Sequence, residues 1–443
     1  MSCSPLSRAL RAGALALAAL LSSATAVRAE PGRLLTLAEA EKTAREAPPS
    51  LRQARAATAA ARARAGTAGA AYLPQLSATA GYSRSTGNLI PQPVAGLGSA
   101  GTSFDNSNKW AASLGASQLL YDFGQTGGRI GAAEALADSA AATEKTAALF
   151  SLLSVRQAFF SARAAKALLG VARDSYGNVK KHREQVESFV TAGTRPRIDL
   201  AQAKADEANA RFAQVTAENA YETARQVLNL AMGLEVSTQY DVADEGLPAV
   251  TGEEQPLEGL LQEALGARPE VASLEGQARA QRETLRSISG QYAPVVAATA
   301  LANGGGVAVD NLGFNVSVGV GLTWNLSFYP GSATRSQVAE AEANLQQLAA
   351  QADGLRLQLR GEVDLARLAV RAGASQKTSA AEARSNARDR LQLAEERYQQ
   401  GVGNAIELGD AQIAVTQAEA QAVLAEQSLA QARALLLKAL GRP

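Results

Sequence analysis

The chain holds one cysteine, Cys3, and one histidine, His182. Zinc sites, iron–sulfur ligation and Cys/His or Ser/His catalysis need pairs or clusters of such side chains, so each lacks its parts. A reaction would have to run on carboxylates, Lys, Tyr or Arg alone. Adjacent Glu253 and Glu254 are a carboxylate pair, but they lie in a segment rich in Pro, Gly and acids, where they read as solvated charge. Lys plus Arg number 43 against 42 acids, a formal net charge of +1 with no polybasic run, which argues against a nucleic-acid partner. His182 has no metal partner in view and reads as a solvated helix residue. Neither an enzyme nor a cofactor is indicated.

The elements that carry these residues say more. Alanine is roughly a fifth of the chain, and Ala with Gln, Glu, Arg and Leu over long stretches is the composition of long, closely packed helices. Residues 1–29 read as an export signal. Arg8 and Arg11 give the positive start, Ala12 to Leu21 the apolar stretch, and Ala24-Thr25-Ala26 or Val27-Arg28-Ala29 the cleavage site. That stretch is too short to span a bilayer as a helix. Cys3 precedes it, so the mature chain is expected to carry no cysteine and no lipid.

An internal repeat sets the architecture. Pro49-Ser50-Leu51 and Tyr72-Leu73-Pro74 recur as Pro269-Glu270-Val271 and Tyr292-Ala293-Pro294, both 220 residues on. Arg129 with Ala132-Ala133-Glu134-Ala135 recurs as Arg335 with Val338-Ala339-Glu340-Ala341, and Gly193 with Ile198-Asp199-Leu200 recurs as Gly401 with Ile406-Glu407-Leu408. The expected division is a signal at 1–29, a first repeat at 30–232, a joining segment at 233–258 and a second repeat at 259–443. A strand near Tyr240 to Ala243 is possible in the joining segment.

Within each copy the pattern predicts a helix, a strand hairpin, a very long helix, a tight turn and another helix. Phe314 to Phe328 alternates apolar with small or polar residues, the mark of a strand with one greasy face. Ser77 to Arg84 and Lys109 to Tyr121 show weaker versions, and Val295 to Ala302 is apolar on both faces. Residues 86–108 and 303–313 read as solvent loops. Four strands cannot enclose a pore, since bacterial barrels need at least about eight, so several chains must share one barrel if these strands span a membrane. Trp110, Trp324, Tyr82 and Tyr121 are candidates for an interfacial girdle. Gly124 to Val190 contains no proline and predicts a nearly continuous helix about 100 Å long. Its partner runs from Gly331 to Gln400, with a narrow seam at Leu345, Leu348, Ala352, Leu355, Leu359, Val363, Ala366 and Val370, as in a coiled coil.

These pieces, in order and in duplicate over the whole mature chain, resemble the TolC-like outer membrane efflux protein family. The Tyr72-Leu73-Pro74 entry, the strand exit Gln118 to Gly124 and the two turn glycines with their Ile-acid-Leu triplets carry the resemblance. It implies a mainly α protein with a β-barrel portion. In the family a homotrimer gives four strands per chain to a 12-stranded outer membrane barrel in lipid, continued by a coiled-coil periplasmic tunnel. Its partners would be a periplasmic adaptor and an inner-membrane transporter.

The resemblance also implies an iris at the periplasmic tip. Glu407 and Asp410 match two acidic rings that constrict the pore, Asp199 and Tyr398 match positions that lock the tip, and Gly193, Arg195, Gly401 and Gly403 match the tip turns where an adaptor docks. Spacing gives Glu407 a second reading, an N-cap pair with Asn404, whereas Asp410 lies too deep for capping. The family's familiar arginine lock is replaced by Gly403, which leaves Arg195 or Arg197 to supply the charge. A type I protein secretion duct is an alternative cargo class. A structural coiled-coil protein of the periplasm or cell surface is a different class, and it leaves the duplicated alternating strands without a purpose.

Overall fold

The structure, a computed structural model, describes residues 33–86, 93–94, 98–99, 106–234, 240–307, 313–325, 333–400 and 402–443. The expected signal at 1–29 and Gly401 lie outside the described residues. In chain order the elements are β1 (Leu34–Leu35), α1 (Leu37–Ala44), α2 (Pro49–Gly69), β2 (Gln75–Thr86), the short pair β3 (Pro93–Val94) and β4 (Gly98–Ser99), β5 (Asn106–Tyr121), α3 (Gln125–Thr191) and α4 (Arg197–Met232). Then follow β6 (Asp241–Val242), α5 (Leu257–Ala267), α6 (Pro269–Gly290), β7 (Val295–Gly306), β8 (Gly313–Thr323), α7 (Ala333–Gln399) and α8 (Ala405–Ala439). Both long helices, α3 and α7, have 67 residues. No described helix is long and apolar enough to cross a membrane.

β2, β5, β7 and β8 form one antiparallel sheet in that order. Its register settles the faces that alternation alone leaves open. Leu76, Ala78, Ala80 and Tyr82 stand opposite Ala116, Leu114, Ala112 and Trp110. Those β5 positions, apart from Trp110, face Ala300, Ala302 and Gly304 of β7, which in turn face Val318, Val316 and Phe314. One face is therefore apolar throughout. The other is mostly small or polar, with Ser77, Thr79, Ser113, Ser117, Thr299, Asn303, Asn315 and Ser317. Across it the Thr79 and Ser113 hydroxyls lie 2.6 Å apart.

Two of the segments read as loops are shorter than expected. β7 continues through Asn303-Gly304-Gly305-Gly306, and β5 already starts at Asn106. The physical reason is cross-strand cover. The Phe314 ring lies over Gly304 so closely that an added Cβ would sit 2.9 Å from it, and Trp110 stands opposite Gly306, so neighbouring aromatics supply the packing that glycine lacks.

The exit from β5 is built by Asp122. Its carboxylate accepts hydrogen bonds from the Thr126 amide at 2.6 Å and the Gly124 amide at 3.3 Å, satisfying donors that the start of α3 leaves orphaned. The chain turns through Phe123 at φ 52° and Gly124 at φ 91°, the left-handed region that glycine adopts without cost. Next to this turn α3 meets α6. A Cβ at Gly128 would sit 2.6 Å from the Glu283 carbonyl and 2.7 Å from the Ser287 amide, so only glycine permits the approach.

The described residues divide into two compact units, one drawn from 1–48, 152–248 and 372–434, the other from 49–151, 249–371 and 435–443. The first has a core of Leu152, Val155, Phe159 and Phe160 packed with Tyr221, Leu228, Met232, Tyr240 and Val242. β1 pairs in parallel with β6, so the possible strand of the joining segment forms. In the second unit Leu359, Val363, Ala366 and Val370 are buried, as the seam predicts, while Leu345, Leu348, Ala352 and Leu355 are half-buried. Arg268, also buried, grips Glu270 through two bonds at 2.9 Å, reaches Glu362 at 3.1 Å and donates to the carbonyls of Lys438 and Ala439 at the end of α8. Those carbonyls are acceptors that a helix C-terminus leaves unsatisfied.

Candidate functional site

The first unit contains two helical turns, α3 into α4 and α7 into α8. At the first, Gly193 takes φ 74°, and its amide donates to the Val190 carbonyl at 3.1 Å while the Thr194 amide donates to Phe189 at 3.0 Å. These two bonds close a left-handed glycine cap, and Pro196 then fixes an extended entry into α4. At the second turn the amides of Val402 and Gly403 both donate to the Arg397 carbonyl, at 3.1 and 2.9 Å. Gly403 lies so tightly on the end of α7 that an added Cβ would be 2.8 Å from the Tyr398 amide. The position that lacks the expected arginine thus has no room for any side chain. Asn404 caps α8 by accepting from the Ile406 amide at 2.8 Å. Glu407 reaches back to Arg397 at 3.7 Å.

Between the four helix ends lies a cavity of about 700 Å³. Asp199, Arg195, His182, Tyr398, Asp206 and Asp410 line it with Ile198, Ile406 and Ile413; Glu407 does not. Tyr398 is 7% exposed, packed with Ala394, Leu408 and Ala411. Its hydroxyl has no hydrogen-bond partner among the described residues of the protomer. Its ring is held from two sides: the Arg195 guanidinium lies 5.3 Å from the centroid, and the His182 imidazole stands edge-on at 5.7 Å. Asp199 pairs with Arg195 at 3.6 Å. Asp199 and Tyr398 are therefore connected within the protomer through Arg195 rather than by a hydrogen bond to each other. Asp410 makes no ion pair among the described residues.

His182 is half-buried here, not solvated as the sequence suggests. Burial holds its pKa below the ordinary 6.5; Asp206 opposes that and Arg195 adds to it. No local signal marks this contact, because His182 and Tyr398 are far apart along the chain and only the two helical turns bring them together. Arg397 was missed for a simpler reason, since its partner Glu407 lies across a turn whose geometry a spacing rule does not capture.

The model of the outer membrane efflux protein family matches residues 41–234 and 260–442. The chain belongs to this family. No curated relative matches it by sequence. Among solved structures, this efflux protein is similar to the outer membrane protein VceC of Vibrio cholerae at 19% identity, over 92% of this chain and 96% of that one, with a TM-score of 0.77. It is similar to the CmeC outer membrane channel of Campylobacter jejuni at 16% identity, over 91% and 85%, with a TM-score of 0.79. It is also similar to the open state of the MtrE outer membrane channel of Neisseria gonorrhoeae at 22% identity, over 92% and 89%, with a TM-score of 0.72. The fold of the efflux protein is thus that of outer membrane channels, and the family is one of channels rather than enzymes.

Proposed function

We propose that three copies of this chain form the passive exit duct of a tripartite efflux pump, exporting small molecules across the outer membrane with energy supplied by an inner-membrane transporter. The observation that carries the reading is the sheet. Its apolar face is largely exposed, with Val318 80% exposed at the middle of β8, and β2 and β8 lie at its two edges. In hydrocarbon every backbone donor and acceptor must be paired, so an open four-stranded sheet cannot span a bilayer alone, whereas copies joined edge to edge can. The family resemblance sets the number at three and the barrel at 12 strands. Aromatic pairs mark both ends of β5: Tyr82 against Trp110 at 4.7 Å, and Tyr121 against Phe123 at 4.7 Å. Trp110 to Tyr121 is about 37 Å along a strand, and a tilt of about 45° leaves about 26 Å between the two levels, close to the height of an outer membrane barrel's apolar band.

The helices continue the duct into the periplasm. There the α3–α4 and α7–α8 turns, including Gly193, Arg195, Gly401 and Gly403, form the end that docks on a periplasmic adaptor. Asp410 and Glu407 ring the closed entrance. Asp410, without an ion pair among the described residues, supports a cation-favouring field, and the Arg397 contact partly offsets the charge of Glu407. A cleaved signal within residues 1–29, ending at Ala26 or Ala29, leaves an unlipidated mature chain, and the repeats at 30–232 and 259–443 are two copies of one plan joined by 233–258.

The test is conductance of the detergent-extracted protein in a planar bilayer. Wild type is expected to give a small, cation-selective conductance, and Glu407→Ala/Asp410→Ala a larger or less selective one. A protein that stays water-soluble and never inserts overturns the duct.

A further inference from the structure

Resting on that reading, one group at the tip is left without a task. His182 is the only histidine in the chain, and it faces the buried Tyr398 across the gap between two helical hairpins. We propose that His182 is a gate residue of the duct, and that proton binding to its imidazole releases the Arg195–Tyr398 contact and favours the open tip.

Tyr398 lies on α7, His182 on α3 and Arg195 in the α3–α4 turn, so the contacts of the imidazole and the guanidinium with the Tyr398 ring exist only while the hairpins are together. A neutral imidazole suits that half-buried packing, with its edge-to-face contact on Tyr398. An imidazolium does not. It would share the Tyr398 ring with a guanidinium already 5.3 Å from its centroid, in a half-buried place. The charged groups facing the cavity around it are Arg195 from the turn, Asp199 and Asp206 from α4, and Asp410 from α8. Asp199 is engaged by Arg195, and Asp206 receives a hydrogen bond from Gln202 at 2.9 Å. Asp206 attracts a proton to His182, but burial together with Arg195 outweighs it.

Water stabilises the imidazolium, and water reaches it when the hairpins part. The sign follows by linkage. A group that binds its proton more weakly in the closed tip than in the open one biases the tip open as pH falls through its titration. A tenfold difference in proton affinity multiplies the opening constant of one protomer by at most about ten.

Two measurements test this on the full chain made without a histidine tag. The first is bilayer conductance from pH 7.5 to 5.5. Wild type is expected to rise several-fold on acidification, His182→Gln to lose most of that rise, and His182→Lys to conduct at the high level already at pH 7.5. Retention of the full rise in His182→Gln overturns the proposal, because the remaining carboxylates would then account for it. The second needs no gating: NMR of the sole histidine. Its titration midpoint is expected below 6.5 in wild type and higher in Arg195→Gln. A midpoint unmoved by Arg195→Gln overturns the contact itself. Absence of conductance in every variant at every pH would count against the duct and leave the titration to decide on His182.

Discussion

Replacing Arg195 with Ala should open the tip, and replacing Tyr398 with Phe should not. Arg195 contributes two contacts to the closed arrangement. Its guanidinium, itself about a third exposed, over the buried ring of Tyr398 is worth about 1 kcal/mol. Its 3.6 Å pairing with Asp199, where both side chains are about a third exposed, adds about 0.5 kcal/mol. Losing about 1.5 kcal/mol shifts the open-to-closed ratio about tenfold per protomer, and about a thousandfold if three protomers open together. The Tyr398 hydroxyl, by contrast, is buried with no partner among the described residues, and a buried hydroxyl left unpaired costs about 1–3 kcal/mol. Phe keeps the ring and removes that cost, so Tyr398→Phe is expected to leave the tip as closed as wild type, or more so. Single-channel open probability at pH 8, where His182 is neutral, reads both variants against wild type. If Tyr398→Phe opened the channel as far as Arg195→Ala does, the hydroxyl and not the ring would be the latch, and the Arg195 reasoning would be wrong.

Three further outcomes follow from the fold. Glu362 is half-buried, which alone would raise its pKa, but Lys438 at 2.7 Å and Gln358 at 2.9 Å donate to its carboxylate and hold it below the usual 4.5; its contribution is therefore present above pH 4.5 and lost as pH falls through the lowered value, and Glu362→Gln should flatten that acid limb in urea unfolding measured against pH. Gly128→Ala places a methyl against the backbone of Glu283 and Ser287, which cannot move aside, so a loss of about 3 kcal/mol is expected, read as a lower unfolding midpoint of the detergent-extracted protein. Val318→Arg, on the apolar sheet face, should cost about 2–4 kcal/mol of insertion, whereas Ser317→Arg on the opposite face should insert normally; equal losses in a vesicle-insertion assay would mean that the faces are assigned wrongly.

Much of the architecture was legible because it depends on repeated local rules. The 67-residue helices follow from proline-free, alanine-rich sequence, and the buried run Leu359 to Val370 sits on the seam that its own spacing marks. The strand faces were only half legible. Val295 to Ala302 is apolar at nearly every position, so alternation cannot choose a face, and pairing with β5 and β8 chooses it. The glycine-rich end of β7 misled for a related reason: glycine is a poor strand former by itself, and the cover from Phe314 comes from another strand.

At the tip, the turn glycines and the acids Glu407 and Asp410 were legible as short motifs. The sequence also left a gap where an arginine was expected, at Gly403. Only the folded chain shows why that gap is sterically required, with the Tyr398 amide 2.8 Å from where a Cβ would stand, and that Arg195 from the other turn lies over Tyr398 instead. Local composition and periodicity determined which elements form, since helix propensity, strand alternation and glycine caps act over a few residues. The partners of Arg195, Tyr398 and His182 were decided by tertiary structure, because contacts between residues some two hundred positions apart depend on where two helical turns come to rest, and no local signal encodes that distance.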